Sequence, residues 1–261
     1  MSEEIPKMIF IIPYRDRKNQ LGLFRRQMEY VLEDIPKQYY KIYFIHQCDD
    51  RDFNRGAMRN IGFLVMKEKY PNDYQNITFV FNDVDTMPYE KNMLNYETSH
   101  GNVKHFFGFE NTLGGIVCIK GKDFESTTGY PNLWSWGYED NLLKIRVSEK
   151  GLNIDRSQFY KLTDNKEIIQ LTDSILKSVN KEEFKRYMYK TDEGFHSISH
   201  LTYTIDEGEQ FINVTHFLTP YANNKSTNTV HDVRKGPTPF AASSVAPKSK
   251  SGMKMTFQTL F

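Results

Sequence analysis

The sequence predicts an α/β protein built on a doubly wound, mainly parallel sheet. Apolar runs of strand length alternate with segments of helical period, in the order strand, helix, strand, helix, strand. The first run stops at a proline, and the third delivers two carboxylates where it ends. Open parallel sheets bind ligands beyond the carboxyl ends of their strands, so the charged residues at those ends are the first candidates for a site.

The run MIFIIP (residues 8–13) reads as a buried strand. After it, Leu21, Phe24, Met28 and Val31 fall at helical spacing, with Asp16 as the expected N-cap. YKIYFIHQ (40–47) is a second strand. NRGAMRNIGFLVMKEKY (54–70) is a second helix, with Ala57, Ile61, Leu64 and Val65 on one side, and ITFVFNDVD (77–85) is a third strand. Beyond residue 90 the pattern is less regular. GGIVCIKG (114–121) reads as a strand entered through glycines. A Trp-rich loop then runs into a helix from about residue 139 to 150, closed by Gly151. Residues 172–194 are polar and partly helical, and residues 201–217 form two strands about a turn at DEGE. The expected organisation is one domain over 1–218. A Pro-, Ser- and Lys-rich tail over 219–261 is expected to be extended or partly disordered.

The 261 residues suffice for one large domain, and 16 Tyr with 19 Phe supply surface both for a core and for a ligand cleft. A net charge of +1 gives no field to steer the chain to nucleic acid or an anionic membrane. Two cysteines, Cys48 and Cys118, do not make a disulfide framework and are expected as reduced core thiols. No apolar run reaches the length of a membrane span, and the acidic start does not resemble a secretion signal. A cytoplasmic or otherwise soluble protein is the expectation.

Asp83 and Asp85 stand one residue apart, and D-x-D spacing on a strand points both to one face. Such a pair can hold a hard divalent ion that keeps open positions for phosphate oxygens. Arg15 and Arg17 follow the first strand, so the alternation brings arginines and acids to one sheet edge.

Four ordered stretches, IIPYRDRKNQL, FNRGAMRNIGF, FNDVDTMP and LGGIVCIKGKDFESTTGYPNLWSWGYED, resemble motifs of the β-1,4-galactosyltransferase family over roughly residues 8 to 152. A fainter echo, DEGFHSISHLTYTI, follows to about residue 218. The resemblance implies a GT-A fold and an inverting, UDP-sugar-dependent hexosyltransferase. The metal would be Mn²⁺, or Mg²⁺, and the acceptor a glycan or glycoside hydroxyl. By match, Pro13, Tyr14, Arg15, Arg17, Phe53 and Arg55 would line the nucleotide pocket, with Asp83 beside them and Val84 near the ribose. Asp85 would be the metal ligand, and Gly115 and Trp136 would contact the donor sugar and phosphates. Glu139 would be the general base, and Asp140 would grip the acceptor. Thr112 stands where the family carries an aromatic that crowds C2 of the donor sugar. Its small side chain implies room for an N-acetyl group, and its hydroxyl is expected to donate to the amide oxygen, unless Leu113 or Phe109 refills the space.

The same residues have plainer readings. Arg15 and Arg17 serve equally as solvated helix-entry charges, Phe53 as core packing, and Glu139 and Asp140 as first-turn acids of a helix. Trp134 is expected in the core. The chain also departs from the family. Ser135 and Tyr138 replace glycines, Asn141 and Leu142 replace acids, and no histidine follows the helix to complete a metal site. Asp164, Glu167, Asp173, His196 or His200 are the substitutes at hand. These departures motivate an alternative, a nucleotide-sugar or glycan-binding module without turnover, and a third reading, a hydrolase of nucleotide sugars.

Overall fold

A computed structural model describes residues 4–162, 166–171, 174–236 and 239–240. The chain opens with β1 (Met8–Tyr14), α1 (Lys18–Val31), β2 (Tyr40–Gln47), α2 (Arg55–Lys69) and β3 (Thr78–Asn82). Strands β4 (Thr86–Pro88), β5 (Asn102–Gly108) and β6 (Ile116–Lys120) follow, then α3 (Gly121–Ser126) and α4 (Glu139–Glu149). The remainder comprises β7 (Asn153–Asp155), β8 (Tyr160–Lys161), β9 (Ile168–Gln170), β10 (Leu176–Asn180), α5 (Lys181–Met188), β11 (Ser199–Asp206), β12 (Phe211–Leu218) and β13 (Asn228–Asp232).

Among the described residues the central sheet runs β11-β12-β2-β1-β3-β6-β5-β7, with β8 also on β5. Strands β12, β2, β1 and β3 are mutually parallel, whereas β6 lies antiparallel between β3 and β5. Both faces are covered, which is why β1 reads as an unbroken apolar run rather than an alternation. Ile9 and Ile11 pack with Ile61 and Phe63 of α2; Met8, Phe10, Ile12 and Tyr14 pack with Phe24 and Met28 of α1. The parallel strands therefore end together at one edge. Two short pairs, β4 with β9 and β10 with β13, stand off the main sheet beside that edge.

Several expectations need correction. Asp16 does not cap α1; the cap position is Arg17, without a side-chain bond, and Asp16 takes a left-handed φ of 51°. The second helix is capped by Asn54, whose side chain accepts the Ala57 N–H at 2.8 Å. The third strand stops at Asn82, so the acids lie beyond it. The stretch 172–194 holds a strand, β10, as well as α5. In the segment expected as a tail, residues 228–232 pair with β10; residues 241–261 lie outside the described residues. Cys48 and Cys118 are both free, one exposed and one buried.

Candidate active site

Beyond the carboxyl ends of β1 and β3 lies a cleft of about 500 Å³. Its walls come from the start of α2, the 107–115 loop, the 136–141 segment at the head of α4, and β10. The two acids reach it from a turn, not from a strand face. The Thr86 N–H bonds the Asp83 carbonyl at 3.1 Å, and the Asn82 side-chain amide donates to the carbonyls of Asp83 and Thr86 at 2.7 Å each. That staple, rather than strand alternation, aims Asp83 and Asp85 into the same space.

Each acid has a different partner. Arg59, on α2 and only 2% exposed, donates from Nη2 to Asp83 Oδ1 at 2.7 Å and from Nη1 to Asp140 Oδ1 at 2.8 Å. It lies over the Tyr130 ring, and the two carboxylates outweigh its burial and hold it charged. Asp140 is raised to about 7 by burial; Arg59 opposes that rise, while Glu139 and Asp83 add to it. Asp85 is raised by burial and then by Asp83, against a hydrogen bond from Thr86 Oγ1 at 3.1 Å and the charges of Arg55 and Arg17. A buried carboxylate pushed in that direction favours a cation beside it.

Glu139 opens α4 and is 6% exposed. Among the described residues, nothing lies within hydrogen-bonding reach of its buried Oε2. An unsatisfied buried acceptor is costly, and the side chain that carries it lines the cleft. The loop before it is fixed from α5: Glu183 accepts the Trp134 N–H at 2.9 Å, the Ser135 N–H at 2.7 Å and the Ser135 hydroxyl at 2.5 Å. Tyr138 keeps a left-handed φ of 71° where the resembling family has glycine, and its ring packs on Tyr187 and Phe184 at 4.9 Å each. Gly114 meets Asp140 so closely that a Cβ there would sit 2.1 Å from Oδ2. The same loop is braced from behind by Arg156, which donates to the carbonyl of Glu110 at 2.7 Å and to His105 Nδ1 at 3.1 Å. Burial and Arg156 lower His105 to about 4, so it stays neutral, with its other nitrogen facing the carbonyls of Phe107 and Gly114.

The cleft gathers Pro13, Arg17, Phe53, Arg55, Asp83, Val84, Asp85, Thr112, Gly115, Trp136, Glu139 and Asp140. Two residues expected there lie elsewhere. Tyr14 continues the even-numbered face of β1 and packs edge-on against His46 and Phe211. Arg15 turns away to the Arg51 carbonyl. Trp134 is in the core, stacked on Phe217 at 5.5 Å. The Thr112 hydroxyl donates to the Phe109 carbonyl at 3.1 Å, which leaves its lone pairs for a ligand. His196 and His200 are exposed and outside the cleft, as is Glu167; Asp164 and Asp173 lie outside the described residues. Arg59 and Lys177 were missed. Arg59 falls four residues after Arg55, inside a matched motif and among apolar helix positions, which was the available signal.

The fold is that of the GT-A class, with basic residues, a D-x-D turn and a buried acid around one strand-end cleft. The family described as the N-terminal region of glycosyl transferase group 7 matches residues 3–97, and that described as the N-terminal domain of galactosyltransferase matches 99–170. The chain belongs to the β-1,4-galactosyltransferase family. It is 30% identical over 171 residues to β-1,4-galactosyltransferase 7 of Drosophila melanogaster, covering 62% of this chain and 51% of that protein. It is 32% identical over 161 residues to β-1,4-galactosyltransferase 1 of Mus musculus, covering 58% of this chain and 39% of that one. The chain thus spans about half, or less, of the curated relatives it matches. The catalytic domain of the Drosophila β-1,4-galactosyltransferase 7, solved with xylobiose, superposes at a TM-score of 0.58 with 19% identity, over 91% of this chain and all of that one. A mutant of that protein, solved with manganese, UDP-Gal and xylobiose, gives the same score at 20% identity, over 89% and 98%. No described helix is long and apolar enough to cross a membrane.

Proposed function

We propose that this chain is a divalent-metal-dependent inverting glycosyltransferase that moves galactose or N-acetylgalactosamine from a UDP-sugar to a hydroxyl of a glycan or glycoside. The observation that carries this reading is that Glu139 and the D-x-D turn line one cleft. Arg17, Arg55, Phe53 and Val84 form the nucleotide end, and Gly115 and Trp136 the sugar end. Asp140 takes an acceptor hydroxyl while Arg59 orients it. In the transfer, the bond from the anomeric carbon to the diphosphate breaks and its electron pair stays on the diphosphate. The acceptor oxygen bonds the same carbon from the opposite face, and its proton passes to Glu139. Trp136 and Tyr138 restrict water, the competing nucleophile.

Among the described residues no three His, Cys, Asp or Glu side chains gather as a metal cage. Hard divalent ions of the Mg²⁺ and Mn²⁺ kind are commonly held by one or two carboxylates plus substrate phosphates, and Asp85 fits that pattern. When bound there, such an ion supplies Lewis-acid charge to the diphosphate oxygens. The Drosophila relative's manganese and UDP-Gal complex supports the same assignment.

A UDP-sugar panel tests this, with Mn²⁺, Mg²⁺ or EDTA, read by UDP release and product analysis with and without glycosides. Transferred sugar is expected. Free sugar plus UDP makes the chain a hydrolase, and unchanged donor makes it a binding module.

A further inference from the structure

We propose that Lys177 is a protein-borne counter-cation for the donor diphosphate, giving this cleft phosphate affinity that persists without a divalent metal. The inference rests on the UDP-sugar reading above.

Lys177 lies on β10, lines the cleft and is half-buried. It forms no hydrogen bond or ion pair with any described residue, unlike the many paired lysines of the surface. Burial, Arg55 and Arg17 act against its charge, and Asp85 and Asp83 favour it. Asp83 is already committed to Arg59. Lys177 and Arg55 therefore lie in one cleft with Asp85, and Lys177 makes no ion pair with that carboxylate. A diphosphate supplies the partner that this half-buried ammonium lacks, bringing both the charge and the acceptor oxygens. Charge demand rises further on transfer, because the diphosphate keeps the electron pair of the broken bond.

The strand that carries Lys177 is held firmly. It pairs along its length with β13, with Lys177 opposite His231. The next residue, Ser178, accepts the Trp136 N–H at 2.8 Å, and the Trp136 ring lies parallel to His231 with centroids 6.4 Å apart. Lys177 therefore rises from the same wall as the tryptophan.

The test is titration calorimetry of the full chain with UDP, in Mn²⁺ and in EDTA, for wild type, Lys177→Met and Lys177→Arg. Uridine binding, followed by saturation-transfer NMR, controls for folding and for the base pocket. Wild type is expected to bind UDP in EDTA. Lys177→Met is expected to weaken that binding by about tenfold or more, the usual range for a hydrogen bond to a charged group. Lys177→Arg is expected to recover most of it, and uridine binding to stay unchanged in all three. Equal UDP affinity of wild type and Lys177→Met in EDTA would overturn the role of Lys177. So would UDP binding in Mn²⁺ that disappears entirely in EDTA, in either case leaving the donor reading intact. Absence of UDP binding in both conditions would overturn the donor reading itself.

Discussion

Replacing Arg59 by methionine removes one buried guanidinium and strands two carboxylates. The arginine is almost wholly enclosed, while the Asp83 and Asp140 side chains keep 30% and 26% of their surface. Breaking a buried ion pair by deleting one partner costs about 3–5 kcal/mol. The residual access of both acids to cleft water places the expected cost near the lower end, about 3 kcal/mol. Against a typical total of about 5–15 kcal/mol this is a large fraction, and with a urea slope near 3 kcal/mol/M it moves the midpoint by about 1 M. The effect depends on pH in a defined direction. Asp140 is already raised to about 7 by burial, above its usual 3.8, so the folded state holds more protons than the unfolded one between those values. Its contribution is favourable at low pH and is lost as pH rises through about 7. Without Arg59 the carboxyl rises further. The variant should therefore lose more stability at pH 8 than at pH 5, where Asp140 is protonated in both proteins. Urea melts followed by circular dichroism at the two pH values measure this. In an Asp83→Asn/Asp140→Asn background, the Arg59→Met change should cost much less, because no stranded carboxylate remains. A cost below about 1 kcal/mol at pH 8, or a larger cost at pH 5, would refute the bridge as the organising element of the cleft.

Other outcomes follow from the same geometry. Asp85→Ala should abolish the Mn²⁺-dependent part of UDP binding, and calorimetry giving equal values for both proteins would remove Asp85 as ligand. Glu139→Gln should leave donor affinity intact and lower transfer by about 10² to 10⁴; transfer within about threefold of wild type would remove it as base. Thr112 should allow UDP-GalNAc at least as well as UDP-Gal, since its lone pairs can accept the acetamido N–H. Thr112→Tyr should shift the preference toward UDP-Gal, by an amount in the range of about 1–3 kcal/mol, and an unmoved ratio in competition assays would refute this.

The strand and helix alternation over residues 8–82 was legible because each element announces itself by local period. What escaped depends on contacts between elements. The end of β3 is decided by the Asn82 staple, not by any change in apolarity. β10 is short, partly exposed and mostly polar and is a strand by virtue of pairing with β13 about 50 residues later, so neither announces itself alone. That also hid Lys177 and made residues 219–236 read as tail. Tyr14 could have been placed correctly from sequence, since it shares parity with Met8, Phe10 and Ile12 and so belongs to the core face. Ser135, which read as a departure from the family, has a local reason in the carboxylate of Glu183.

The bond from the Trp136 N–H to Ser178 joins the sugar end of the cleft to the β10–β13 pair. Occupancy and late-chain order are thereby thermodynamically linked. A donor that presses on Trp136 stabilises the strand pair behind it, and the strand pair, once formed, raises donor affinity by the same factor. Amide exchange within β10 and β13 thus becomes a gauge of whether the cleft is filled, read from strands that carry none of the proposed acid or base groups.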